Sequence, residues 1–277
     1  MKRIGILYHP MIEDACSLSR KLETFLNSRK ISVWLCSAWE GEKAKAQLDD
    51  TDLILSIGGD GTILRAAQTV VPYPVPITGI NLGNLGFMTE LGTDEVMDKL
   101  PALLAGEGWI DERALLKVEL LAPDKKSSST AYALNDVVVA RGAVARTVYI
   151  KASIDGEVLT TYKADGVIVA TATGSTGYAL AAGGPILHPQ SEELLMLPIV
   201  PHLSSTYTVV LPSTAVVELQ VNTAHQATLS IDGHIHLALT DGAIVTVKHN
   251  SNTVRFLRIH PSASFYGSLE QKMKGKH

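Results

Sequence analysis

An apolar run, Leu53-Ile54-Leu55-Ser56-Ile57, leads into Gly58-Gly59-Asp60-Gly61-Thr62 and then into Ile63-Leu64-Arg65. Glycines around one acid at the end of a strand-like segment permit positive φ and close backbone approach to a ligand. If a helix follows, as Thr62 is suited to help start one, its first amides point outward and form an anion site fit for phosphate. An acid inside a phosphate loop is electrostatically awkward unless it accepts a proton or helps hold a metal ion. The same residues also suit a plain strand-to-helix turn, so the loop alone leaves both readings open. Two familiar phosphate motifs are missing, Gly-x-x-x-x-Gly-Lys-Ser/Thr and a Gly-x-Gly-x-x-Gly after the first strand. Their absence counts against an ordinary nucleotide triphosphatase and a simple dehydrogenase.

Two grammars of secondary structure must position this loop. Through the first hundred residues, β-rich runs at Ile4–Tyr8, Ile31–Leu35, Leu53–Ile57 and Ile77–Ile80 alternate with helical spacing, as in Ile12 to Phe25. That alternation predicts a doubly wound parallel α/β sheet with ligands beyond the carboxyl ends of its strands. From Arg113 onward, period-two runs take over at Leu116–Leu120, Val148–Ile154, Val216–Val221, Thr228–Ile231, Ile244–Val247 and Val254–Leu257. Asp155-Gly156, Asp232-Gly233 and Asp241-Gly242 separate them as turns, so an antiparallel sandwich is expected. Lys125-Lys126-Ser127-Ser128-Ser129 reads as a solvated hairpin tip, and Phe265 to Lys274 as a helix packing back on the first domain. The expected organisation is an α/β domain over 1–111, joined by 259–277, and an all-β domain over 112–258. There is no internal repeat.

Bulk properties narrow the class. The chain has 277 residues, 46% apolar and 19% charged, which suits globular domains with a real core. A net charge of -4 with mixed signs offers no footprint for nucleic acid and no polybasic membrane patch. Cys16 and Cys36 are too few for a disulfide scaffold. The apolar stretch after Met1-Lys2-Arg3 is too short for a signal peptide, and no apolar run approaches a membrane span. A cytoplasmic protein is expected.

Further segments carry candidate chemistry: Gly79-Ile80-Asn81-Leu82-Gly83-Asn84-Leu85-Gly86-Phe87; Leu134-Asn135-Asp136-Val137-Val138; Lys163-Ala164-Asp165-Gly166; and Thr173-Gly174-Ser175-Thr176-Gly177-Tyr178 through Ala181-Ala182-Gly183-Gly184-Pro185. With the Gly58–Thr62 loop these resemble, in order, the motifs of the NAD kinase family, over nearly the whole chain. The donor loop itself is shared with diacylglycerol kinases and phosphofructokinases. A lipid kinase would carry a Gly-Thr-x-Asn-Asp type segment where Gly79–Phe87 stands, and none is present.

The resemblance implies transfer of the γ-phosphate of ATP, or of another donor, to the 2′-hydroxyl of the adenosine ribose of NAD. It implies Asp60 as the catalytic acid that positions or deprotonates that hydroxyl. Gly58, Gly59, Gly61, Thr62 and Arg65 would attend the donor phosphates, and Asp60 and Gly61 would also meet NAD. Asn135 and Asp136 would bind ribose or adenine. Thr173, Thr176, Gly177, Tyr178, Ala179, Leu180 and Ala181 would line that pocket, closed by Phe87. Asp165 would meet the nicotinamide end, with Lys163 and Arg146 supplying charge nearby. His234 would touch substrate. Implied partners are NAD, ATP with Mg²⁺ or Mn²⁺, and a second copy in a homodimer or homotetramer with sites near subunit interfaces; no dedicated protein metal site is implied. Lys163-Ala164 stands where the family usually has Arg-Ser or Arg-Gly, keeping charge without the planar fork. Gly177 replaces a frequent alanine and Ala181 a frequent serine.

Plainer readings stand beside these. Asn135-Asp136 also suits the start of a strand, Arg146 and Lys163 solvated cations, and Phe87 a core position. His234 and His236 share a face of any strand, but no third metal ligand is evident.

Overall fold

A computed structural model of the chain describes residues 1–83, 86–123, 128–142, 147–202, 207–261 and 264–274. Asn84, Leu85, Arg146 and the Lys125–Ser127 part of the hairpin tip lie outside them. The chain forms two compact units, Met1–Glu112 with Val254–His277, and Arg113–Thr253.

In the first unit, β1 (Arg3–Tyr8), α1 (Glu13–Ser28), β2 (Ser32–Ser37), α2 (Gly41–Lys45), β3 (Leu53–Ile57), α3 (Asp60–Val70), β4 (Ile77–Asn81), the short β5 (Leu91–Gly92), α4 (Val96–Leu104) and β6 (Trp109–Arg113) follow one another. The sheet order is β2-β1-β3-β4-β19-β6, with β5 against β4 and β19 being Val254–Arg258. β1, β2, β3, β4 and β5 pair in parallel. β3 and β4 are buried along their whole length, as strands covered on both faces must be. The C-terminal α6 (Ser264–Lys274) also belongs to this unit. Two sequence expectations change here. Val254–Leu257 joins the first sheet, with Phe256 opposite Ile77 in parallel register. Its alternation was compatible with any half-buried strand and carried no information on which sheet would receive it. And α3 begins at Asp60, two residues before Thr62, with Gly59 as its N-cap.

The second unit holds β7 (Leu116–Leu121), β8 (Ser128–Ala133), β9 (Asp136–Arg141), β10 (Val148–Ile154), β11 (Glu157–Ala164), β12 (Gly166–Ala170), the short α5 (Tyr178–Ala181), β13 (Leu194–Ile199), β14 (Val209–Leu211), β15 (Val216–Asn222), β16 (Ala227–Ile231), β17 (Ile235–Leu239) and β18 (Ile244–His249). They form two six-stranded antiparallel sheets, β11-β10-β15-β18-β7-β8 and β14-β13-β12-β9-β16-β17. One apolar core draws on both, from Leu116, Val118, Ile150 and Val217 of the first to Val137, Val139, Val167 and Leu229 of the second. The second sheet has another buried face, where Val138, Ile168, Ala170, Leu195 and Leu197 pack with Ala179 of α5. Burial on both sides explains why β12 and β13 are continuous apolar runs rather than alternating ones.

A buried polar cluster fixes the region after β4. Arg258, 6% exposed, donates to Asp111 at 3.1 Å, to the Met88 carbonyl at 2.8 Å and to Glu90 at 3.3 Å. Glu90 in turn accepts the amides of Ile259 and His260 at 2.8 and 2.7 Å. Truncating one partner of a buried ion pair strands charge in a low-dielectric site. Arg258→Met is therefore expected to destabilise the first unit by about 3–5 kcal/mol, read from its urea unfolding midpoint.

Candidate active site

β3 ends in the glycine-rich loop at the carboxyl edge of the sheet, and its helix follows without a linker. Gly58 has φ +149°, and a Cβ there would lie 2.3 Å from the Thr62 hydroxyl, so only glycine fits. Thr62 is itself 1% exposed, its hydroxyl buried without a partner among the described residues and its amide bonded to the Gly59 carbonyl at 2.9 Å. It braces the loop from beneath, rather than presenting a hydroxyl outward. Cβ atoms at Gly59 and Gly61 would meet nothing within 4 Å, so the outer side of the turn is open. Helix geometry leaves the first-turn amides, those of Asp60 and Gly61, without intrahelical acceptors. The turn therefore offers free amides on its open side.

Asp60 is held from across the β4 loop. Its two carboxylate oxygens accept the amides of Phe87 at 2.9 Å and Met88 at 3.0 Å. A Cβ on Gly86 would sit 2.3 Å from one of those oxygens, so Gly86 must be glycine for the carboxylate to reach the amides. The Gly86 amide donates to Thr89 at 3.0 Å, which sets the turn. Each carboxylate oxygen keeps a lone pair for a further donor. Phe87 contributes its backbone amide to this grip. Arg65 stacks over the Trp39 ring, 4.3 Å from its centroid, and partial burial pushes its guanidinium below the usual value.

In the second unit, Asn135 and Asp136 stand where β9 begins, as the strand-start reading expects. Asp232 organises this corner. Its carboxylate accepts the amides of Leu134 at 2.9 Å, Asn135 at 2.7 Å and Asp136 at 3.2 Å. Asp136 is 6% exposed, and burial, with Asp232 beside it, pushes its carboxyl up to about 7. The Asn135 side-chain oxygen is buried without a partner among the described residues. Asn135 and Asp136 both face Gly177, where an added Cβ would lie 3.5 and 3.8 Å from their side chains. With Tyr178, Ser230, Asp232 and Gly233 they line a cavity of about 440 Å³. His234 follows the lining residue Gly233 in sequence, its Nδ1 3.0 Å from the Asp232 carbonyl. It precedes β17, whereas His236 lies within that strand and is exposed, so the two are not a strand pair.

Other expected pocket residues are placed differently. Ala179 is fully buried in the second core and offers a ligand only its backbone. Thr173 is 5% exposed and accepts from the buried Arg113 at 3.3 Å, while the Thr176 hydroxyl donates to the Thr173 carbonyl at 3.2 Å. Leu180 is half-buried and Ala181 exposed on α5. Asp165 pairs with Arg141 at 3.0 Å, at the opposite end of β9 from Asp136, roughly 16 Å along the strand. Lys163 is exposed, 5.9 Å from the Tyr149 ring centroid. Arg146 lies outside the described residues. Among the described residues, no group of three or more His, Cys, Asp and Glu is arranged to hold a metal ion. Asp232, legible in the sequence only as a hairpin turn, and Arg141, with no motif around it, are additions.

An α/β unit with an acidic glycine-rich loop at its carboxyl edge, together with a β-sandwich unit bearing a polar cavity, is the architecture of a two-domain kinase. Residues 4–108 match the ATP-NAD kinase N-terminal domain and residues 134–259 the ATP-NAD kinase C-terminal domain. NAD kinase of Dehalococcoides mccartyi (strain CBDB1) is 48% identical over 276 residues, covering 100% of this chain and 97% of that protein. NAD kinase of Chloroflexus aurantiacus is 40% identical over 274 residues, covering 99% of each. The crystal structure of an NAD kinase from Archaeoglobus fulgidus in complex with ATP matches with TM-score 0.79 and 26% identity over 98% of both chains. Yeast NADH kinase complexed with NADH shares the fold, with TM-score 0.89 and 24% identity over 99% of this chain and 88% of that one. The chain belongs to the NAD kinase family, and it is a phosphotransferase. No helix among the described residues is long and apolar enough to cross a membrane.

The burial of Asp136 has a consequence for stability. The folded protein keeps its proton to about pH 7, while the unfolded chain releases it near 3.8. Its contribution to stability is present below the lower value and is lost as pH rises through the upper one. Asp136→Asn is expected to remove a loss on the order of 4 kcal/mol between pH 4 and 8, so its denaturation midpoint varies less with pH than the parent's.

Proposed function

We propose that this chain transfers the γ-phosphate of ATP to the 2′-hydroxyl of the adenosine ribose of NAD, forming NADP and ADP. The observation that carries this reading is the carboxylate of Asp60, held by two amides at the open first turn of α3. Phosphoryl transfer asks a protein mainly for positioning and charge neutralisation. The first-turn amides of α3 take the donor phosphates, and Mg²⁺ or Mn²⁺ enters with ATP as part of that substrate. The ribose oxygen attacks the γ-phosphorus in line, the bond to the β-phosphate oxygen breaks, and the hydroxyl proton passes to the free lone pair of Asp60.

Asn135, Asp136, Gly177, Tyr178 and Asp232 hold the adenosine end of NAD. The free Asn135 oxygen and a carboxyl that titrates near neutrality supply an acceptor and a group able to donate or accept. His234, next in sequence to the lining residue Gly233, touches the same substrate. Asp165, with Arg141 and Lys163, takes the nicotinamide end, and its distance along β9 supports that division of an extended dinucleotide. This reading includes a cytoplasmic homodimer or homotetramer. Exposed Val158 and Leu159 on β11, with Val200 and Val210 beside β13 and on β14, support an oligomer.

Three measurements test the reading. Incubated with labelled ATP, the chain is expected to label NAD and not diacylglycerol; label in diacylglycerol alone, or NAD binding without turnover, would sink it. Asp60→Asn is expected to lose at least about 10² in turnover while still binding NAD, and near-normal turnover would remove Asp60 from the mechanism. Gly86→Ala, which pushes the carboxylate off its two amides, is expected to lower kcat by about 10–100-fold. Its KM for NAD should stay within about threefold of the parent's, since the change is to positioning and not to ground-state binding.

A further inference from the structure

Sheet order places the loops after β2, β1 and β3 side by side, with the order reversing at β1. That reversal is where open α/β sheets bind ligands, beyond the carboxyl ends of the strands. The loop after β1 is pinned next to the phosphate loop, because the His9 amide donates to the Ile57 carbonyl at 3.0 Å. The loop after β2 presents Trp39, 38% exposed, a large aromatic outside the apolar cluster that Ile4, Leu22, Leu55 and Ile80 form. Its orientation is set: its amide donates to the Ser37 hydroxyl at 3.1 Å, and the His9 ring meets it edge-on at 4.4 Å.

The helix that carries Asp60 faces this tryptophan. Gly61, Arg65 and Thr69 are four residues apart and share one stripe of α3. Two contacts register that stripe against the chain after β2. Arg65 stacks on Trp39, and a Cβ on Gly41 would lie 3.9 Å from the Thr69 hydroxyl. Moving one turn from Arg65 toward the helix N-terminus reaches Gly61, where the space is open. The order along the stripe is thus phosphate-binding amides, open space, then an exposed indole backed by a cation.

We infer that Trp39, backed by Arg65 and edged by His9, is the stacking platform for the base of the phosphate donor. The donor is therefore a nucleoside triphosphate and not bare polyphosphate. The inference rests on the donor-loop reading of Gly58–Thr62 given above. A flat base gains from an aromatic face, and from a guanidinium against that face, whereas a polyphosphate chain has no π-surface to offer. Stacking is tolerant of base identity, so ATP and GTP serve alike. Arg65, one turn below Gly61, supports the base through Trp39 and adds positive charge on the phosphate side.

The test compares ATP with ribose 5-triphosphate, the same donor without its base, by NADP formation at saturating NAD in the parent, Trp39→Ala and Trp39→Phe proteins. In the parent, removing the base is expected to raise the donor KM by at least about tenfold. Trp39→Ala is expected to raise the KM for ATP by about the same factor, to leave that for ribose 5-triphosphate within about twofold, and so to abolish the distinction between them. Trp39→Phe restores most of it, and an unchanged urea unfolding midpoint of both variants shows that the fold is intact. A base preference that survives in Trp39→Ala, or a parent with no base preference, overturns the platform while leaving the donor loop standing. Absence of NADP with either donor in the parent overturns both.

Discussion

A carboxylate that accepts one amide on each oxygen cannot turn without breaking a hydrogen bond, and Asp60 is held in that way by Phe87 and Met88. Much of the first unit serves this grip. The amides reach the carboxylate only because residue 86 has no side chain. The loop keeps its course because the Met88 carbonyl is tied to Arg258, and Arg258 to Asp111 and Glu90. Three elements far apart in sequence, α3, the loop after β4 and the last strand of the sheet, thereby fix one acid. Rigid placement is what phosphoryl transfer demands, because little of its acceleration comes from covalent help.

The second unit uses the opposite device. The corner where β9 begins is built from buried polarity: a carboxylate that accepts three backbone amides, a second carboxyl pushed toward neutrality, and an amide oxygen with no partner among the described residues. Such groups are costly in a low-dielectric interior unless a partner satisfies them. A ligand bearing hydroxyls and ring nitrogens can supply that partner. The same ligand discriminates itself, since an analogue lacking a matching group leaves the cost in place. β9, which begins at Asp136 and is buried on both faces, gives this corner its rigidity.

Local patterns in the sequence made β3 and β10 legible to the residue, since an apolar run before glycines and a clean alternation each specify one structure. The two-grammar division of the chain was legible for the same reason. Partner choice was not. Alternation at Val254–Leu257 is equally at home in either unit, and pairing with Ile77 is a long-range fact. β12 and β13, buried on both faces, carry no alternation to detect. Among candidate site residues, the glycines around Asp60 marked the turn after β3, but the amides that hold its carboxylate come from a segment with its own motif and no visible link to it. Thr62 and Ala179 sit inside motifs and yet point into packing, which a motif cannot reveal. Asp232 was hidden by its turn role, because Asp-Gly satisfies hairpin chemistry whether or not the carboxylate does more. Arg65 illustrates the same limit, since its partner Trp39 lies in a loop without any pattern.

Gly86 acts through Asp60, by leaving the room its carboxylate needs. A double-mutant cycle over turnover, using Gly86→Ala, Asp60→Asn and the two together, tests it most directly. If the loop serves to hold the carboxylate, Gly86→Ala costs turnover in the parent and almost nothing once Asp60 is asparagine. Fully additive losses would mean that residue 86 acts by another route, and would contradict the account.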